Sequence, residues 1–286
     1  MGKLYIVATP IGNLEDITLR AIRILKEVDL ILCENVSESH RLLKHYEITT
    51  KTTNYYSNSR LDKIDKIIKM LEDGKDLALI SDAGTPCVSD PGALLIERIH
   101  RYNSTPSVLS DTFPKGRIET QMLPTGLNTV CDTVSEISRA EGVNCIEIIT
   151  IPGPSAVTAL YSVSGTLGNA FSFYGFVPQK KGRQTFIKNI LIKTKEGDIP
   201  IIFYESVHRF EKLIEQLSEH ILNLQSENAE EQGEYVFTIG RELTKMHEQI
   251  IKGNILEIKS YFENNQDKIR GEFVIMIEYK DYKIIS

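Results

Sequence analysis

Ser81–Pro86, SDAGTP, places a carboxylate (Asp82), a glycine (Gly84) and a hydroxyl (Thr85) in one short loop, and Pro152–Ala156, PGPSA, has the same small-residue character. Loops of this kind admit a ligand close to the backbone and hold it by main-chain and hydroxyl groups more than by charge. A third loop, Thr9–Asp16, TPIGNLED, contains a single glycine, Gly12. A pyrophosphate cradle needs several glycines so that N–H groups can close on the anion, so this loop is not built for phosphate. Taken singly, each loop could be a turn chosen for geometry alone. Three at one sheet edge favour a pocket for a small ligand.

The elements around them position the loops. LYIVA, DLILC and DLALIS read as buried strands, with helices expected over about Thr18 to Lys26, Ser39 to His45, and Leu61 to Asp73, the last closed by Gly74. This alternation predicts a mostly parallel sheet whose functional edge lies at the carboxyl ends of its strands. TPIGNLED, ENVSES (Glu34–Ser39) and SDAGTP leave that edge. CIEIIT reads as a further strand feeding IPGPSA. Beyond it FSFYGF, IPIIFYES, YVFTIGREL and GEFVIMIEY read as strands, with helices near Phe186 to Lys193 and His208 to Leu222. The fold class is therefore α/β, as two α/β domains: an N-terminal domain over 1–153 and a C-terminal one over 154–286 with more hairpin-like pairing. From Arg101 to Gly142 the pattern loosens into an irregular Ser/Thr/Pro-rich excursion.

Composition narrows the function classes. No apolar run in the 286 residues approaches the ~20 of a membrane span, and no basic-then-apolar leader pattern opens the chain, so a cytoplasmic location is expected. Cys33, Cys87, Cys131 and Cys145 show no C-x-x-C spacing and read as free thiols. His40 and His45 are five apart, poor spacing for one helical face, and no metal site is expected. A net charge of −6 argues against a broad nucleic-acid-wrapping face, but KKGR, Lys180–Arg183, is a local basic cluster that suits phosphodiesters or a solvated loop equally.

TPIGNLEDIT, ISDAGTP followed by SDPG, IPGPSAV, FYGF followed by KKGR, YES followed by HR, RELTK with His247 and Glu248, and GEFV occur in this order from Lys3 to about Glu278. Together they resemble the 2′-O-methylating, ribosomal RNA-directed branch of the tetrapyrrole methylase family. The resemblance implies two domains of the tetrapyrrole methylase type with S-adenosylmethionine in the cleft between them, and a homodimer. It implies as substrate the 2′-hydroxyl of a cytidine in the decoding region of 16S ribosomal RNA, in the small ribosomal subunit. A sulfonium cofactor without phosphate accounts for a first loop with one glycine. The chain departs from the family after the second strand, where relatives carry Glu-Asp-Thr-Arg and this sequence has Glu34, Asn35, Val36 and Ser37.

Methyl transfer is an in-line displacement on an activated carbon, so the protein must position the reactants and remove the hydroxyl proton. The resemblance points to Glu34, Glu205, Glu242 and Lys245 as catalytic candidates. Cofactor binding would fall to Pro10, Gly12, Asn13, Ser81, Asp82, Ala83, Gly84, Thr85, Pro152, Ser155, Ala156, Tyr174 and Gly175. Substrate contacts would come from Lys180, Lys181, Arg183, His208 and Arg241. The excursion either compensates for the altered ENVS loop, with Lys115 and Arg117 as its contacts, or is a flap far from the site. Ser206 is placed to cap the helix that follows it. Two other readings stay open: methylation of a tetrapyrrole-like small molecule, and cofactor binding without catalysis.

Overall fold

A computed structural model describes residues 1–56, 61–90, 92–104, 145–197, 199–227 and 233–281. The chain forms two units, one of Met1–Thr9 and Ile17–Gly153, the other of Pro10–Asp16 and Pro154–Ser286. The short segment Pro10–Asp16 thus belongs to the second unit, although the chain on both sides of it belongs to the first.

The first unit is built on a five-stranded parallel sheet in the order β3-β2-β4-β1-β5, comprising β1 (Lys3–Val7), β2 (Leu30–Cys33), β3 (Thr52–Asn54), β4 (Leu77–Ile80) and β5 (Glu147–Ile151). Helices α1 (Leu19–Glu27), α2 (Val36–His45), α3 (Leu61–Glu72) and α4 (Gly92–Ser104) connect the strands. Apolar residues at helical spacing, Ile64, Ile67 and Leu71 of α3 with Leu95 and Ile99 of α4, pack on Leu4, Leu32, Leu77 and Leu79 of the sheet. Gly74, with φ +86°, lets the chain turn out of α3 as the sequence anticipates. The excursion proper, with Lys115, Arg117 and Cys131, lies outside the described residues. Helix α4 extends through Ser104, past the Arg101 at which the pattern was expected to loosen.

In the second unit the sheet order is β6-β7-β10-β8-β9: β6 (Ser172–Phe176), β7 (Ile201–Ser206), β8 (Gly233–Arg241), β9 (Gln249–Asn254) and β10 (Glu272–Asp281). Only β6 and β7 pair in parallel; the other pairs are antiparallel, the hairpin-like pairing expected. Both faces are covered. On one, Phe203, Phe237 and Ile275 meet α6 (Arg183–Gly197), α7 (Val207–Glu227) and α8 (Ile255–Glu263) through Ile187, Phe210, Leu217 and Ile258. On the other, Ile202, Val274 and Met276 meet Val157 and Leu160 of α5 (Ala156–Val163), together with Ile11 and Leu243. Ile11 thus anchors the Pro10–Asp16 segment in this unit's core.

Among the described residues, four strands and α-helices are not legible in the sequence. Strand β3 is three polar or hydroxyl residues at a sheet edge, α4 opens on a glycine, and β9 and α8 follow one another across Asn254, which ends the strand and caps the helix.

Candidate functional site

At the carboxyl end of the first unit's sheet, Thr9 ties the SDAGTP loop to the chain leaving β1. Its N–H donates to the Gly84 carbonyl at 2.9 Å and the Gly84 N–H returns to Thr9 O at 3.0 Å. The buried Thr9 hydroxyl lies 3.2 Å from Ser81 O and 3.3 Å from Gly84 O. Gly84 has φ +82°, which a side chain would strain, so the turn depends on it. The latch buries Ser81 and Gly84 and leaves Asp82 and Ala83 exposed on the rim. Gly153 passes so close to β1 that a Cβ there would fall 2.9 Å from the Ala8 Cβ.

The ENVS loop joins the same edge by reciprocal hydrogen bonds. The Asp82 N–H donates to Glu34 Oε2 at 3.4 Å, and the Asn35 N–H donates to Asp82 Oδ1 at 3.0 Å. Asn35 is also the N-cap of α2, its side chain accepting from the Ser37 N–H at 3.0 Å, which starts the helix a turn earlier than expected. Asparagine therefore keeps the capping role available to an aspartate, without its charge. Burial, then the negative charges of Asp82 and Asp90, push the Glu34 carboxyl above its ordinary range. Asp82, exposed at the rim, is also raised, by partial desolvation of its carboxyl and by the charges of Glu38 and Asp90.

Within the second unit, TPIGN, RELTK and GEFV meet. The Asn13 N–H donates to Thr244 Oγ1 at 3.1 Å, and Lys245 Nζ bridges Glu242 Oε1 at 2.9 Å and Glu272 Oε2 at 3.0 Å. Two glycines make room: a Cβ on Gly12 would fall 2.4 Å from Lys245 Cγ, and one on Gly271 would fall 2.0 Å from Glu242 Oε1. Burial works against both charges of the pair, yet the Lys245 hydrogen bond holds Glu242 below the carboxylate range, and the bonds to Glu242 and Glu272 hold Lys245 above the ordinary lysine value. Lys245 is thus a fixed ammonium, and a poor proton acceptor at neutral pH. Glu272, in the GEFV motif but not singled out from the sequence, completes the bridge.

Three expectations are corrected by burial. Arg183 is 5% exposed and Glu205 1%, and Arg183 Nη1 sits 2.6 Å from Glu205 Oε2 while Arg209 Nη2 sits 2.6 Å from Glu205 Oε1. Arg183 also donates to Gln216 Oε1. Both carboxylate oxygens of Glu205 are taken by guanidiniums and Arg183 is held internally, so Arg183 is no surface phosphate contact and Glu205 no free proton acceptor. Arg241, 7% exposed, spends its guanidinium on the carbonyls of Arg270 and His247 and on Gln249 Oε1. The Ser206 hydroxyl, just before the helix, accepts from Arg209 Nε at 3.0 Å. Lys180, Lys181 and His208 remain exposed.

Ser155 and Ala156 open α5, where Ser155 makes no side-chain cap; the Tyr204 hydroxyl hydrogen-bonds the backbone of Val157 in that first turn. Tyr174 packs towards Phe186, and Lys193 Nζ lies 3.1 Å from its hydroxyl. Gly175, with φ +65°, follows it in β6.

The model of the Tetrapyrrole (Corrin/Porphyrin) Methylases matches residues 3–108. The chain is 34% identical to ribosomal RNA small subunit methyltransferase I of Thermotoga maritima over 98% of this chain and 100% of that protein. It is 35% identical to the protein of the same name from Hydrogenobaculum sp. over 96% of this chain and 95% of that one. The structure of diphthine synthase superposes with a TM-score of 0.60 at 13% identity, covering 97% of this chain and 90% of that one, which bears out the two-domain α/β fold. With near-full-length similarity of this order, the chain belongs to the ribosomal RNA small subunit methyltransferase I family, within the tetrapyrrole methylases.

Proposed function

We propose that this chain transfers a methyl group from S-adenosylmethionine to the 2′-hydroxyl of a cytidine in the decoding region of 16S ribosomal RNA, acting on the small ribosomal subunit as a cytoplasmic homodimer. The observation that carries the reading is the pairing of Glu34 with Asp82 beside the latched SDAGTP loop. Ribosomal RNA as substrate follows the relatives' shared name, and the nucleotide and the dimer follow the motif resemblance. Among the described residues no helix is long and apolar enough to cross a membrane.

The loop residues fit such a cofactor. Residues 81–85 contain no lysine or arginine, and after burial, negative charge helps to raise both carboxyls, that of Asp82 and Asp90 on Glu34 and that of Glu38 and Asp90 on Asp82. That environment suits a cation-bearing ligand and disfavours a phosphate. When bound, the cofactor supplies an activated methyl carbon on a sulfonium. Glu34 is the candidate best suited to accept the hydroxyl proton, because a carboxylate with a raised pKa is the stronger base. Asp82 fixes the ENVS loop through the Asn35 N–H. Lys245, held as an ammonium, offers charge and no basicity.

The test is transfer of a labelled methyl group to purified small subunits, free ribosomal RNA and a tetrapyrrole panel, with the product mapped. Label at a cytidine 2′-oxygen in the subunits is the expected result. Label on a tetrapyrrole alone, or on no acceptor, overturns the proposal.

A further inference from the structure

Phe176 is a large aromatic left 54% exposed, and the reaction outlined above makes no use of it. Strand alternation would set it on the face of Tyr174, towards Phe186. Instead, Gly175 takes φ +65° and the register of β6 on β7 shifts between Phe173 and Phe176. A bulge of this kind re-aims a side chain. Here it brings Phe176 to the face of Phe173, where both rings stand edge-on to Tyr204 with centroids 5.2 and 5.0 Å away.

Tyr204 is a firm backing. Its hydroxyl is tied to the Val157 backbone, and burial together with the nearby Glu272 charge pushes it up to about 12, so it stays protonated. Phe176 therefore has one edge fixed and much of its surface in water. Four and five residues further on, Lys180 and Lys181 are exposed cations.

We infer that Phe176, backed by Tyr204, is a stacking platform for an unpaired base of the RNA substrate, with Lys180 and Lys181 taking the adjoining phosphates; this rests on the proposed RNA methyltransferase reading. Bases splayed from single strands are held on aromatic faces beside cationic side chains. Access to one nucleotide in structured RNA requires drawing it from its stack, and a waiting ring offsets part of that cost. A planar heteroaromatic ring is the chemistry recognised, and the cofactor's adenine shares it, so the experiment must separate the two sources.

The chain contains no tryptophan, so Phe176→Trp installs a single fluorescent reporter at the platform. The full-length variant is titrated separately with a single-stranded ribo-oligonucleotide carrying a central cytidine and with the demethylated cofactor, S-adenosylhomocysteine. Quenching by the oligonucleotide and not by the cofactor product is the expected result. In parallel, Phe176→Leu, which keeps apolar bulk without the ring, should bind the oligonucleotide about tenfold more weakly, with unchanged cofactor affinity and melting temperature. Quenching by the cofactor product with loss of cofactor affinity in Phe176→Leu assigns the ring to adenine and overturns the inference. Equal oligonucleotide affinity for the native and Phe176→Leu chains also overturns it. A native chain that neither binds RNA nor methylates subunits overturns instead the functional reading beneath it, and the native control makes that failure distinguishable.

Discussion

Gly12 lies against Lys245, 233 residues away in sequence, so closely that a methyl group on its Cα would stand 2.4 Å from the lysine Cγ and 2.8 Å from the Leu243 carbonyl. The single glycine of the first loop is thus required by its neighbour in the second unit. Gly12→Ala should destabilise the protein by roughly 1–3 kcal/mol through overpacking, read by chemical denaturation. An unchanged midpoint would mean that the RELTK loop yields freely and that the contact is incidental.

Replacing Glu34 should move stability and activity in opposite directions. Its folded pKa is raised, so the folded state favours the protonated form: the associated stability is present below the unfolded value near 4.5 and is lost as pH rises through the raised folded value. Glu34→Gln mimics the protonated side chain and should be more stable than the native chain at pH 7, with the difference closing towards pH 4. Methyl transfer should fall by about 10²–10⁴-fold if Glu34 takes the proton. Thermal melts across pH together with single-turnover rates check both halves.

For the Glu242–Lys245 bridge the window is wider. Glu242 is lowered, so its contribution is present above about pH 4.5 and lost on acidification through its folded value; Lys245 is raised, so its share is complete below about 10.5 and lost as pH climbs through its folded value. Lys245→Met should cost about 1–2 kcal/mol at pH 7, and the loss should shrink in acid. A pH-independent loss would assign the effect to the packing of the lysine stem on Gly12.

Glu205 should behave as a core residue. Glu205→Ala leaves Arg183 and Arg209 without their shared carboxylate and should cost about 3–5 kcal/mol. Calorimetric melting decides the point: a variant that melts like the native chain yet has lost methyl transfer would restore Glu205 to the catalytic set.

Lys180→Ala combined with Lys181→Ala should weaken RNA binding at low salt and reduce the slope of log affinity against log salt by about 0.7 per lost single-strand phosphate contact. Cofactor affinity, measured by calorimetry, should not change. An unaltered slope would return the pair to a solvated loop.

The sequence by itself determined the alternating strands and helices of the first unit and the loops at its sheet edge, because apolar periodicity and turn residues are local properties written in consecutive side chains. It also carried the family, through motifs whose order survives in a linear reading. What only the tertiary structure decided was the state of each charge. KKGR reads as four neighbours, yet helix α6 turns Arg183 inward to Glu205 while Lys180 and Lys181 stay in water. RELTK reads as a reactive cluster, yet Arg241 is spent on backbone carbonyls and Lys245 is bridged by Glu272 from another strand. Phe176 looks like the next residue of an alternating strand until Gly175 breaks the register and re-aims it. Burial, pairing and pKa depend on groups brought together from distant parts of the chain, and no local pattern encodes which partner a charge will meet.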